Sequence, residues 1–113
     1  MAELEPMMEL RLLYITAATL EEARRIGEAL VAERLAAGAN ILPGAHSIYR
    51  WQGEIVRDSE VVIVAKTRAA LVDAAIARVK ALHSYQVPCV VALPILAGNA
   101  AYLEWLVEQT QAE

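Results

Sequence analysis

The chain has 113 residues, enough for one domain with its own core and short for two. Its 58% hydrophobic content is high, yet no apolar run approaches the roughly 18 residues of a membrane span. A net charge of −4 argues against general nucleic-acid affinity, and the one cysteine, Cys89, cannot close an internal disulfide, which points to a reducing cytoplasm.

Residues 1–8 are acidic, lack the basic flank of a signal peptide and read as a loose tail before a single domain over 9–113. Leu10 to Thr16 is a short apolar run expected to form a buried strand. Thr19 opens a helix, with Glu22 three residues on in the pattern of a capping box. Leu20, Ala23, Ile26, Leu30, Val31 and Leu35 recur at helical spacing, and Gly38 is the expected stop. Ala39–Leu42 and His46–Gln52 read as two extended segments split by Pro43-Gly44.

Gln52-Gly53 suits a tight hairpin turn into a strand from Glu54 to Lys66. That hairpin places Trp51 opposite Glu54, Tyr49 opposite Val56 and Ser47 opposite Asp58. Thr67 is expected to start a second helix striped by Leu71, Val72, Ala75, Ile76, Val79 and Leu82. A loop over Tyr85–Pro88 leads to a strand over Cys89–Ile95, and Asn99 caps a last helix running through Leu106. Tyr102 and Trp105, three apart on that helix, are expected to pack it over a subunit edge.

The order predicts an α+β, ferredoxin-like βαββαβ fold with an antiparallel sheet and an extra C-terminal helix. Both main helices then cover one sheet face and leave the other open. Leu12–Ile15, Val61–Ala65 and Val90–Leu93 are apolar without alternation, so the open face is apolar as well. Such a face calls for a partner surface, and closed symmetric assembly is the expected answer.

The motifs that follow one another along the chain carry a resemblance. They are Glu33-Arg34-Leu35-Ala36-Ala37, Asn40-Ile41-Leu42-Pro43-Gly44, Ser47-Ile48-Tyr49-Arg50-Trp51-Gln52-Gly53, and Asp58-Ser59-Glu60 with Lys66-Thr67. His83-Ser84-Tyr85-Gln86-Val87-Pro88, Ala92-Leu93-Pro94-Ile95 with Gly98-Asn99, and Tyr102-Leu103-Glu104-Trp105 complete the series. In this order they resemble the CutA divalent-cation tolerance family over nearly all of Leu10–Val107. The resemblance implies a homotrimer similar in architecture to the PII signalling proteins, and a link to tolerance of copper and other divalent metal ions. It brings no enzymatic reaction.

His83 stands where the family carries a His-Pro-Tyr-Glu motif associated with metal, and a neutral imidazole is a good ligand for copper or zinc. Its bland reading is a cation at a helix C-terminus. Cys89, six residues on, replaces what is more often an acid; it could join His83 around a soft ion, or behave as a small hydrophobe. The departures weaken a metal site. Gly38 or Ala39 stands where the family has a cysteine, Gln86 replaces a glutamate, Ser84 a proline, and Glu54 a frequent lysine.

A second constellation is Tyr49, Trp51, Asp58, Lys66 and Tyr85. Period two puts Lys66 on the same face as Asp58, further along the sheet. A lysine among aromatics could hold a small anion in an intersubunit cleft; the alternative is an ion pair or cation–π contact. His46 is isolated. No phosphate-cradling loop, Cys-x-x-Cys, Ser-His-Asp pattern or RNA-binding strand signature is present, so an enzyme is the least favoured reading.

Three functions compete. The first is a cytoplasmic, homotrimeric CutA-like protein that binds copper-type divalent cations weakly. The second is a PII-like regulatory module that binds a small anionic ligand. The third is a structural trimer acting through a protein partner.

Overall fold

The computed structural model describes residues 9–110, so the tail expected over residues 1–8 lies outside the described residues. Strand β1 (Leu10–Ala17) leads into helix α1 (Leu20–Ala32), followed by β2 (Gly38–Trp51) and β3 (Glu54–Arg68). A single 3-10 turn (Ala69–Leu71) precedes α2 (Val72–Leu82), and β4 (Val90–Ile95) and α3 (Ala100–Gln109) close the chain. The four strands form one sheet in the order β2-β3-β1-β4, with every neighbouring pair antiparallel. This is the expected α+β, ferredoxin-like arrangement.

Strand alternation sorts the two faces. Leu13, Ile15 and Ala17 of β1 and Val61, Ile63 and Ala65 of β3 meet Ala23, Ile26 and Leu30 of α1 and Ala75 and Val79 of α2 in the main core. On the opposite face α3 covers only one end, where Leu103 and Leu106 bury Leu10 and Ala37. The rest of that face stays uncovered among the described residues: Tyr14, Leu42, Val91 and Leu93 are all exposed. The apolar open face expected from the unalternating strands is present.

The hairpin of β2 and β3 gives the molecule its length, with extents of 45 × 26 × 22 Å. Its register is the expected one, with Trp51 opposite Glu54, Tyr49 opposite Val56 and Ser47 opposite Asp58. Gln52 (φ 49°) and Gly53 (φ 82°) both take positive φ, as the two-residue turn requires. Pro43-Gly44 does not split the segment. It makes a bulge between Leu42 and Ala45 inside one strand, with Gly44 at φ 88°.

Three element ends differ from the expectation. Gly38 does not stop α1; the helix ends at Ala32 and Arg34 takes the left-handed position at φ 61°, while Gly38 opens β2 opposite Lys66. Thr67 does not start α2. It pairs with Arg11 in the sheet and its hydroxyl donates to the Leu35 carbonyl at 2.7 Å, so it is committed to β3 and the helix begins after the 3-10 turn. α3 runs past Leu106 to Gln109 because Arg68 and Arg34 hold its end: the Arg68 guanidinium bonds Thr110 Oγ1 at 3.1 Å and the Thr110 carbonyl at 2.6 Å, and Arg34 Nε donates to the Gln109 carbonyl at 3.0 Å. Cations at a helix C-terminus complement its dipole.

Candidate functional site

At the hairpin end of the open face, away from α3, lies a groove of about 660 Å³, within the range typical of small-molecule sites. Tyr49 and Trp51 of β2 form one wall, and Tyr85, Gln86, Val87 and Cys89 of the α2–β4 loop form the other. Glu60 of β3 and Thr16 of β1 also line it. Period two explains the assembly, since Ser47, Tyr49 and Trp51 project to the face that Asp58 and Glu60 share.

Two tyrosine–carboxylate pairs organise the polar part. The Tyr49 hydroxyl donates to Asp58 Oδ2 at 2.7 Å, and the Tyr85 hydroxyl donates to Glu60 Oε2 at 2.8 Å. The hydrogen bond to Asp58 raises the Tyr49 phenol above its ordinary value. Burial, then the bond to Glu60 and the Glu60 charge, pushes the Tyr85 phenol well above its own. Both phenols are therefore fixed donors. Glu60 was not singled out from the sequence, although it shares Asp58's parity and immediately precedes the apolar run, which is the signal that could have found it.

The loop wall is held by His83 and Glu22. His83 Nε2 lies 2.7 Å from the Thr16 carbonyl, which can only accept, and Nδ1 accepts from the Tyr85 N–H at 3.0 Å. The partners assign a neutral ring protonated at Nε2. Neither nitrogen offers an unshared lone pair to an ion in this geometry. His83 acts here as a strut that ties the loop to β1, with its ring packed 4.7 Å from that of Tyr85.

Glu22 completes the strut. Thr19 Oγ1 accepts from the Glu22 N–H at 3.1 Å, as expected of a capping box. The carboxylate, however, accepts from the Ala18 N–H at 3.1 Å and the Ser84 N–H at 2.7 Å, so it joins the start of α1 to the loop after α2. Burial by itself would raise this carboxyl, but the bonds from Ser84 and Ala18 outweigh it and hold the group below its ordinary value.

The remaining sequence-predicted residues divide. Tyr49, Trp51 and Tyr85 line the groove and Asp58 supports it, but Lys66 does not join them. Lys66 is on the same face, eight residues along β3 from Asp58, or about 27 Å at ~3.4 Å per residue. There its Nζ sits 3.4 Å from Asn40 Oδ1 and 5.7 Å from the Tyr102 ring centroid, the cation–π alternative weighed from the sequence. Tyr102 and Trp105 stack at 5.5 Å on the exposed side of α3, and Leu103 and Leu106 make its buried contacts. Cys89 is an exposed free thiol in the groove rather than a buried hydrophobe, because β4 begins one residue later, at Val90. Among the described residues no three His, Cys, Asp or Glu side chains gather as a metal cage.

Comparison with known proteins follows the same outline. The family model described as CutA1 divalent ion tolerance protein matches residues 11–109. The divalent-cation tolerance protein CutA of Thermus thermophilus is 55% identical over 96 residues, which cover 85% of this chain and 93% of that protein. The chloroplastic CutA 1 of rice (Oryza sativa) is 45% identical over 98 residues, covering 87% of this chain and 55% of its own greater length. In three dimensions the chain is similar to the Thermus thermophilus divalent cation tolerance protein, with a TM-score of 0.88, 52% identity and coverage of 90% and 99%. It is also similar to the structure of the periplasmic divalent cation tolerance protein CutA from Archaeoglobus fulgidus, with a TM-score of 0.87, 39% identity and coverage of 90% and 99%.

Proposed function

The chain belongs to the CutA1 divalent ion tolerance family, and from that premise we propose that it is a homotrimer that serves divalent-cation tolerance and binds copper-type ions weakly. The observation that carries the assembly is the uncovered sheet face, where Tyr14, Leu42, Val91 and Leu93 are each at least 39% exposed beside the buried core. An apolar face of that kind is stabilised by packing sheet against sheet in a closed oligomer. For the ion, Cys89 is the accessible soft donor. His83 could join it through Nδ1 only by giving up the bond it accepts from the Tyr85 N–H, a cost that favours weak rather than tight binding.

An exposed thiol suits a reducing compartment, in keeping with a cytoplasmic protein. No helix among the described residues is long and apolar enough to cross a membrane. The test is equilibrium titration of the chelated protein with zinc, which does not oxidise thiols, and with copper, on wild type, Cys89→Ser and His83→Ala. Loss of binding in Cys89→Ser with little change in His83→Ala is the expected pattern. Equal affinity in all three proteins would remove both residues from the account. The small-anion reading with Lys66 is the weaker one, since within one chain Lys66 and Trp51 stand at opposite ends of the sheet.

A further inference from the structure

The groove at the hairpin end has walls and a floor of different chemistry. Tyr49, Trp51 and Tyr85 present aromatic rings. Glu60, only 6% exposed, lines the groove with them and supplies a carboxylate. One of its oxygens accepts from the Tyr85 hydroxyl, and no other described donor reaches the carboxylate. Asp58, exposed behind Tyr49, is bonded among the described residues only to a neutral phenol. Neither acid takes part in an ion pair among the described residues, and no lysine, arginine or histidine lines the groove. A buried carboxylate is ordinarily found paired with a cation.

We propose that this groove is a binding site for a small organic cation, an alkylammonium held by the Glu60 carboxylate and the faces of Trp51, Tyr49 and Tyr85. The geometry supplies both halves of such recognition. The ring faces carry negative quadrupole potential that attracts a soft, weakly hydrated cation, and the half-satisfied Glu60 oxygen supplies the counter-charge. The raised phenols of Tyr49 and Tyr85 fit this picture, because each remains a neutral hydrogen-bond donor to its carboxylate. The volume of about 660 Å³ admits a choline-sized molecule with room for its tail. A small anion would meet the Glu60 carboxylate with no cation beside it and is disfavoured. The proposal does not depend on an ion at Cys89, and it requires that assembly on the open face leave the groove open.

Trp51 reports on the groove directly. The full chain carrying Trp105→Phe, which leaves Trp51 as the only tryptophan, is titrated with tetramethylammonium and choline, and with 3,3-dimethylbutan-1-ol as the uncharged isostere of choline. Saturable change in Trp51 emission with the two cations, and at least tenfold weaker response to the alcohol, is expected. Glu60→Gln should weaken cation binding at least tenfold, and Tyr85→Phe, which frees the second Glu60 oxygen, should not weaken it. Far-UV circular dichroism on both variants secures that each is folded, and chemical-shift changes confined to residues 47–60 and 85–89 of the wild type give a second readout if Glu60→Gln fails to fold. Equal response to the alcohol, unchanged affinity in folded Glu60→Gln, or no response to either organic cation because a side chain of a second copy already fills the groove would each overturn the proposal. Zinc binding lost in Cys89→Ser but organic-cation binding kept would separate this site from the ion reading.

Discussion

Glu22 is only 4% exposed, and its charge is tolerated there because two backbone N–H groups point at its two oxygens. The residue does three things at once: its own N–H is capped by Thr19, and its carboxylate caps Ala18 and pins Ser84. A carboxyl held below its ordinary value of 4.5 binds protons less readily in the fold than in the unfolded chain. It therefore stabilises the fold at pH values above 4.5, and that contribution is lost as pH falls through the lower native value. Glu22→Gln keeps one acceptor but loses the charge, and should lower stability by about 1–2 kcal/mol at pH 7. Urea unfolding at pH 7 and again below pH 4.5 checks this, with the gap between variant and wild type narrowing at acid pH. The groove wall should feel the change, since Ser84 lies between His83 and Tyr85.

At the scale of elements, the hairpin turn and the end of α3 show opposite kinds of legibility. Gln52-Gly53 is a local signal, and the register of the hairpin from Trp51 back to Ala45 followed from it because the side-chain period of a strand is fixed, until the bulge before Ala45 shifts it. Gly53 at φ 82° tolerates no Cβ without strain, so Gly53→Ala should cost about 1 kcal/mol. Gln52→Asn should add a few tenths of a kcal/mol, because asparagine enters the left-handed region more readily. Thermal unfolding of the two variants should move in opposite directions. The C-terminal cap was not legible. Arg34 and Arg68 come from a turn and a strand end, 74 and 42 residues away from their α3 partners, and no local pattern announces them. Arg68→Met keeps the aliphatic stem and removes both bonds to Thr110. It should destabilise by about 1–2 kcal/mol and speed hydrogen exchange selectively in the last turn of α3. Thr67 failed in the same way: it has the look of a helix cap in sequence, but a carbonyl 32 residues distant claims its hydroxyl. The candidate site was half legible for a related reason. Strand parity placed Tyr49, Trp51 and Asp58 on one face, but parity has no term for distance along a strand, so it also admitted Lys66.

For the molecule as a whole, the two sheet faces have different fates. One is sealed by α1 and α2, while α3 shields only the Leu10 end of the other. Tyr14 stands near the middle of what remains, on central strand β1 between Val64 of β3 and Val91 of β4. Its side chain belongs to neither core cluster. A charge at that position therefore asks little of the single chain but opposes any packing of sheet on sheet, where an unpaired carboxylate would be desolvated. Tyr14→Glu should leave the far-UV circular dichroism of the fold intact while light scattering coupled to size exclusion reports one-chain instead of three-chain mass. A second readout follows from mass action. The melting temperature of an assembling wild type rises with protein concentration, because only the folded chains associate. That of Tyr14→Glu should be independent of concentration and lower than that of the wild type. A wild type that is already monomeric, with a melting temperature indifferent to its concentration, would show that copies of the chain do not cover the open face.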